Sequence, residues 1–193
     1  MGLLVVGIGG TTRPGSSTER ALDVALAAAA AAGADTVKFG GADLDLPLYT
    51  PEHPDRSGRS QRLVDEVRRA DGLVVASPGY HGTISGLVKN ALDYLEDLRD
   101  DARPYLDGRA VGTIATALGW QASVTTLTAL RSIVHALRGW PTPLGAALNS
   151  AGPGALDGGG DWADEAALLQ LGVVGRQVVE FAQMRANLGS GPA

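Results

Sequence analysis

The sequence predicts an α/β protein: a doubly wound sheet of five parallel strands with helices on both faces. Three observations carry that reading. Apolar runs of strand length recur at residues 3–8, 73–76 and 110–116, and they are continuous rather than alternating, as strands buried on both faces are. After them apolar residues return at spacings of three and four, the period of an amphipathic helix. Between run and helix stand short stretches of glycine, proline and hydroxyl residues that break both patterns. Strand and helix alternate along the whole chain, and right-handed crossovers then place helices on both sides. In the strand order 2-1-3-4-5 the carboxyl ends of strands one and three flank the switch point, where a crevice opens and ligands bind.

Composition sets the outer bounds. A chain of 193 residues, 45% hydrophobic with mean hydropathy +0.05, suits one domain over residues 1–193 with one substantial core. The net charge is −5 and the 16 basic residues are scattered, so no nucleic-acid partner is expected. Without cysteine there is no disulfide, thiolate nucleophile or thiolate metal site, and no metal ligand set is read. The first residues enter a strand with no charged leader, and no apolar run approaches the ~20 residues of a membrane span. A cytoplasmic protein without a membrane partner is expected.

The first strand, residues 3–8, runs into Gly9-Gly10-Thr11-Thr12-Arg13-Pro14-Gly15-Ser16-Ser17-Thr18-Glu19 and then into an alanine-rich helix that Gly33 ends. Small residues, hydroxyls and one arginine at a helix start suit a phosphate, because the first backbone amides of a helix lack partners. The loop lacks the Gly-Lys-Ser/Thr ending of a nucleotide P-loop and the three spaced glycines of a dinucleotide fold, so a monophosphate fits. The competing reading is that Ser16, Ser17 and Thr18 only cap the helix.

A second strand is expected at residues 36–39, then a long proline-bearing loop over 44–60; Tyr49 and His53 in it could reach a ligand, but a lone histidine in a polar loop is more often solvated, and neither is assigned to the site. Leu63, Val64, Val67 and Ala70 mark the second helix. The third strand, 73–76, is stopped by Pro78, Gly79 and Gly82, and the helix of Leu87, Val88, Ala91, Leu92 and Leu95 runs from Ser85 to about Arg99, with Lys89 on its wet side. After the fourth strand comes Ala117-Leu118-Gly119-Trp120-Gln121-Ala122-Ser123, then a helix through Leu127, Leu130, Ile133, Val134 and Leu137. A fifth strand is expected within 140–148, a glycine-rich loop of low order over 150–161, a long helix over 163–184, and a disordered tail from about Asn187. Three strand ends thus carry loops suited to a ligand.

The stretch Ser77-Pro78-Gly79-Tyr80-His81-Gly82-Thr83-Ile84-Ser85-Gly86-Leu87-Val88-Lys89-Asn90-Ala91-Leu92-Asp93, with the Thr11 to Arg20 loop upstream, resembles the NADPH-dependent FMN reductase family of flavodoxin-like proteins over roughly residues 3–185. The resemblance implies a flavodoxin-like five-stranded sheet. It implies that Thr11, Arg13, Ser16, Ser17 and Thr18 hold the FMN phosphate. It implies that Pro78, Gly79, Tyr80, His81, Gly82 and Thr83 pack along the flavin, with Ala117, Leu118 and Gly119 bordering its other side. Many members have glutamate at the position of Gly79 and serine at that of Thr11, and the third loop lacks the family's usual glycine pair. The resemblance further implies hydride transfer from NADPH or NADH to the flavin, and onward to FMN, a quinone or another small-molecule acceptor, with no catalytic residue of the protein's own. A homodimer or tetramer and a flavin-dependent monooxygenase partner belong to the same expectation. A flavodoxin-type electron carrier and a quinone or azo-compound reductase on the same scaffold are the alternatives, and a flavin-free interaction domain is a third.

Overall fold

The computed structural model describes residues 2–52 and 56–189, so His53 lies outside the described residues. In chain order its elements are β1 (Leu3–Gly9), α1 (Ser17–Ala31), β2 (Ala34–Phe39), α2 (Gly58–Arg69), β3 (Gly72–Tyr80), β4 (Thr83–Ile84), α3 (Gly86–Asp93), β5 (Ala110–Ala117), α4 (Trp120–Ala136), β6 (Trp140–Pro141), β7 (Ala146–Asn149) and α5 (Glu165–Gly189). One sheet runs β2-β1-β3-β5, with β6 and β7 following one another along the free edge of β5. All its pairings are parallel except the hairpin of β3 with β4. The flavodoxin-like class is as expected, but among the described residues the sheet has seven strands rather than five: the hairpin strand β4 is added beside β3, and two short strands share the last place of the expected order 2-1-3-4-5.

The doubly wound arrangement follows from the side-chain alternation. Val6, Ile8, Leu73, Val75 and Val111 point to the face covered by α2, α3 and α4, whereas Val5, Val74, Ala76 and Ile114 point to the face covered by α1 and α5. On the second face the packing is close because the residues are small: a Cβ on Gly175 of α5 would lie 2.1 Å from the carbonyl oxygen of Ala25 in α1.

Three expectations about the strands and the third helix need correction. Pro78 does not stop the third strand. The β1 partner ends at Gly9, opposite Ala76, so Pro78 pairs only with β5 and its missing N–H costs no ladder bond. The chain reverses instead at His81 and Gly82, both at positive φ (50° and 91°), in a two-residue hairpin. The third helix stops at Asp93 and continues to Leu98 as a 3-10 turn. The fifth strand is split: Thr142 N still donates to the Val111 carbonyl at 3.0 Å, but residues 143–145, with Pro143, do not pair with β5, and the buried Thr113 hydroxyl opposite has no hydrogen-bond partner among the described residues.

The glycine-rich segment is ordered rather than loose. The Asp157 carboxylate accepts from the amides of Gly159 (2.8 Å) and Asp161 (2.9 Å), and Leu156 bridges Trp162. The last helix runs through Gly189, past the expected tail start at Asn187.

At the amino end of the sheet Arg109 is buried, 1% exposed, and donates to three carbonyls: Ala70, Tyr105 and Arg68, each at 2.9 Å. Two of these close the carboxyl end of α2, where helical carbonyls lack intrahelical partners and the dipole is negative. Burial, then the nearby charge of Arg103, pushes the Arg109 guanidinium down to about 10, still charged at neutral pH.

Candidate functional site

The carboxyl end of the sheet is open. Because β1 and β3 send their helices to opposite faces, a crevice forms between their ends, and the loops after β1, β3 and β5 meet there around a cavity of about 700 Å³. Thr11, Arg13, Ser16, Ser17 and Thr18 form one wall, Pro78, Gly79, Tyr80 and Gly82 a second, and Ala117, Leu118 and Gly119 a third. His81 and Thr83 are not on it. His81 sits exposed at the hairpin tip, and the Thr83 carbonyl is turned to α4, accepting from the Thr126 hydroxyl at 3.3 Å.

Local chemistry shapes the first loop. Thr11 Oγ1 accepts from the Arg13 amide and donates to the Arg13 carbonyl, both at 3.2 Å, so this hydroxyl braces the turn. Ser16 is the N-cap of α1: its Oγ accepts from the Glu19 amide at 3.3 Å. The Thr18 hydroxyl is buried against that of Thr116, 2.6 Å away, locking the helix start to the end of β5. Capping therefore accounts for one hydroxyl of the three. It does not account for the amides: among the described residues none accepts from the backbone N–H of Ser16, Ser17 or Thr18. The Ser17 hydroxyl is likewise uncommitted, and Arg13 is exposed at the lip.

A second helix start faces the same space. Gly119 caps α4 without a side chain, the first helical bond runs from Ser123 N to its carbonyl, and Gln121 and Ala122 of the opening turn line the cavity. Two helix amino ends thus bound one cavity whose described wall carries no carboxylate. The site is built to receive negative charge.

The wall also holds Thr116, Gln121, Ala122, Thr125 and Ser150, of which sequence reasoning touched only Gln121 and Ala122, as part of the third loop. Thr116 reads as core because its strand is apolar, and Ser150 follows β7 with its hydroxyl donating to Ala117. Gly79 has a packing reason. A Cβ there would stand 2.6 Å from Thr126 Oγ1 and 3.2 Å from the Ala122 carbonyl, so α4 fills the place of any side chain. Tyr80 and Leu118 of the wall are open to solvent and give the mouth an apolar rim, and Trp120 and Val124 are exposed on α4.

The chain is 32% identical over 122 residues to the FMN-dependent NADPH-azoreductase of Staphylococcus haemolyticus strain JCSC1435, covering 63% of this chain and 61% of that relative, less than two thirds of its length. Its fold matches the flavoenzyme NAD(P)H:(acceptor) oxidoreductase FerB of Paracoccus denitrificans with a TM-score of 0.72 at 18% identity, over 95% of this chain and 98% of the other. It also matches a flavodoxin, WrbA-like protein of Agrobacterium tumefaciens at a TM-score of 0.63 and 14% identity, over 94% and 98% of the two chains. These two likenesses establish the flavodoxin-like fold. The family model of the NADPH-dependent FMN reductase matches residues 3–153, and this chain belongs to that family.

Proposed function

We propose that the cavity binds FMN and that the protein is an NAD(P)H-dependent FMN oxidoreductase, an enzyme of the cytoplasm. The observation that carries this reading is the set of uncommitted amides at Ser16, Ser17 and Thr18, beside the Ser17 hydroxyl and Arg13 in a cavity without carboxylates. That donor set fits a phosphate monoester. Pro78, Gly79 and Tyr80 on one side and Leu118 and Gly119 on the other give a flat ring its apolar walls, and the amide end of α4 suits an electron-rich ring edge. FMN held there would supply the redox chemistry, acceptance of hydride from a nicotinamide and delivery of electrons to an acceptor. The chain's own residues orient the phosphate, wall the ring and leave the mouth open. This reading assigns no acid or base role to the chain's own side chains.

The acceptor in this reading is a small planar molecule: a quinone, an azo compound or free FMN. The apolar rim and the name of the Staphylococcus relative support it. The exposed face of α4, which bears Trp120 and Val124 and carries no charge before Arg131, supports a homodimer or tetramer closing over the mouth. Delivery of reduced FMN to a flavin-dependent monooxygenase is the other outlet for the electrons.

Anaerobic assay of the purified protein tests the proposal. NADPH or NADH oxidation that requires both added FMN and an acceptor supports it. Flavin binding without nicotinamide oxidation would identify an electron carrier instead, and failure to bind FMN would end the proposal.

A further inference from the structure

The segment over residues 150–162 touches the cavity once, through Ser150, and then crosses behind the first loop. There Trp162, 6% exposed, donates its Nε1–H to the Ser17 carbonyl at 2.8 Å. Arg20 donates Nε–H to the Gly15 carbonyl at 2.9 Å and forms an ion pair with Asp161. Asp161 is in turn held by the Asp157 turn: the Asp157 amide donates to the Asp161 carbonyl at 2.8 Å, and the Asp157 carboxylate accepts from the Asp161 amide at 2.9 Å.

The two carbonyls grasped from behind belong to informative peptide units. A peptide is planar and trans, so its C=O and N–H lie on opposite edges. The Ser17 carbonyl, which already belongs to the opening turn of α1, gains from Trp162 a second donor that holds the direction of the Thr18 N–H, and the Arg20 bond to the Gly15 carbonyl holds that of Ser16. These are two of the three uncommitted amides. A donor on the carbonyl also polarises the unit and strengthens the N–H opposite.

We propose that Trp162 and the Arg20–Asp161 pair are positioning residues, and that residues 150–162 form a strap that sets the affinity of the first loop for a phosphorylated ligand. The inference rests on the FMN reading above and adds to it a means by which a distant segment tunes phosphate recognition. A strap that only packed against α1 would affect every ligand of the cavity alike. One that aims amides affects the phosphate alone.

The test uses the full chain, with FMN and riboflavin as probes that differ only in the phosphate. Trp162→Phe keeps most of the ring packing and deletes the donor, while Asp161→Ala removes an exposed carboxylate. In wild type, FMN binds more tightly than riboflavin. Trp162→Phe weakens FMN by about three- to tenfold and Asp161→Ala by about two- to threefold, the scale of one hydrogen bond or exposed ion pair. Riboflavin affinity stays unchanged in both. Unchanged FMN affinity, or parallel loss of FMN and riboflavin, overturns the strap while leaving the FMN reading in place. Equal affinity of wild type for the two flavins overturns both. Should Trp162→Phe fail to fold, Asp161→Ala decides the matter by the same criterion.

Discussion

The two ends of the sheet treat the same backbone chemistry in opposite ways. At the amino end the last carbonyls of α2 are closed by the buried guanidinium of Arg109, which spends its donors on Ala70, Arg68 and Tyr105. At the carboxyl end the first amides of α1 stay open beside hydroxyls, and those of α4 follow a glycine cap without a side chain. Helix ends left over by the crossover topology are a structural cost where nothing binds and a binding resource where the switch point opens a crevice. The contrast separates residues that keep the fold from residues that use it.

Closing the amino end wrongly has the largest expected effect. Arg109→Leu removes the donor from one buried carbonyl, that of Ala70, and from the part-buried carbonyls of Tyr105 and Arg68, and urea unfolding is expected to show a loss of about 3 kcal/mol. A loss below about 1 kcal/mol would mean that water replaces the guanidinium and that this end is not closed by Arg109 alone. The folded pKa of Arg109 lies below its ordinary value, so between about 10 and that value the unfolded chain holds the extra proton. Stability from this group therefore rises with pH only above about 10, and the wild-type minus Arg109→Leu difference is expected to be flat from about pH 6 to 9.

Crowding the cavity wall comes next. Gly79→Ala sets a methyl group against Thr126 Oγ1 and is expected to cost about 1–3 kcal/mol. Gly79→Ala combined with Thr126→Ala should recover part of that loss, and strict additivity of the two changes in thermal or urea melts would show that the clash is absent.

Filling the open end sharpens the contrast from the other side. Ser17→Glu places a carboxylate at the amides of α1, where an anion favours a helix, so stability is expected to hold or rise by about 0.5 kcal/mol. FMN affinity should nevertheless fall at least about tenfold by like-charge repulsion. Unimpaired FMN binding in this variant would place the phosphate elsewhere.

Much of this architecture is legible in the sequence because its signals are local. The apolar runs that became β1, β3 and β5, and the small-residue loops after them, are contiguous in the chain, and twelve of the fourteen expected site positions line one cavity. What escaped depends on neighbours far away. Pro78 reads as a strand stop until β1 is seen to end beside Ala76. Thr116 reads as core until Thr18, 98 residues earlier, meets it. The order of residues 150–162 rests on Asp157 and on Trp162 reaching Ser17 across 145 residues, which composition alone renders as a loose glycine loop. His81 belongs to the motif in sequence, but its positive φ turns it away from the cavity.

The central claim is that backbone amides stand open at one end of the sheet and that the complementary groups at the other end are closed. Backbone amide NMR during titration with FMN tests it directly. The expected result is large downfield shifts of the Ser16, Ser17 and Thr18 amide protons, with the amides of Arg68, Ala70 and Arg109 unmoved. Saturation with FMN that leaves those three amides in place, or that perturbs the Arg109 end equally, would contradict it.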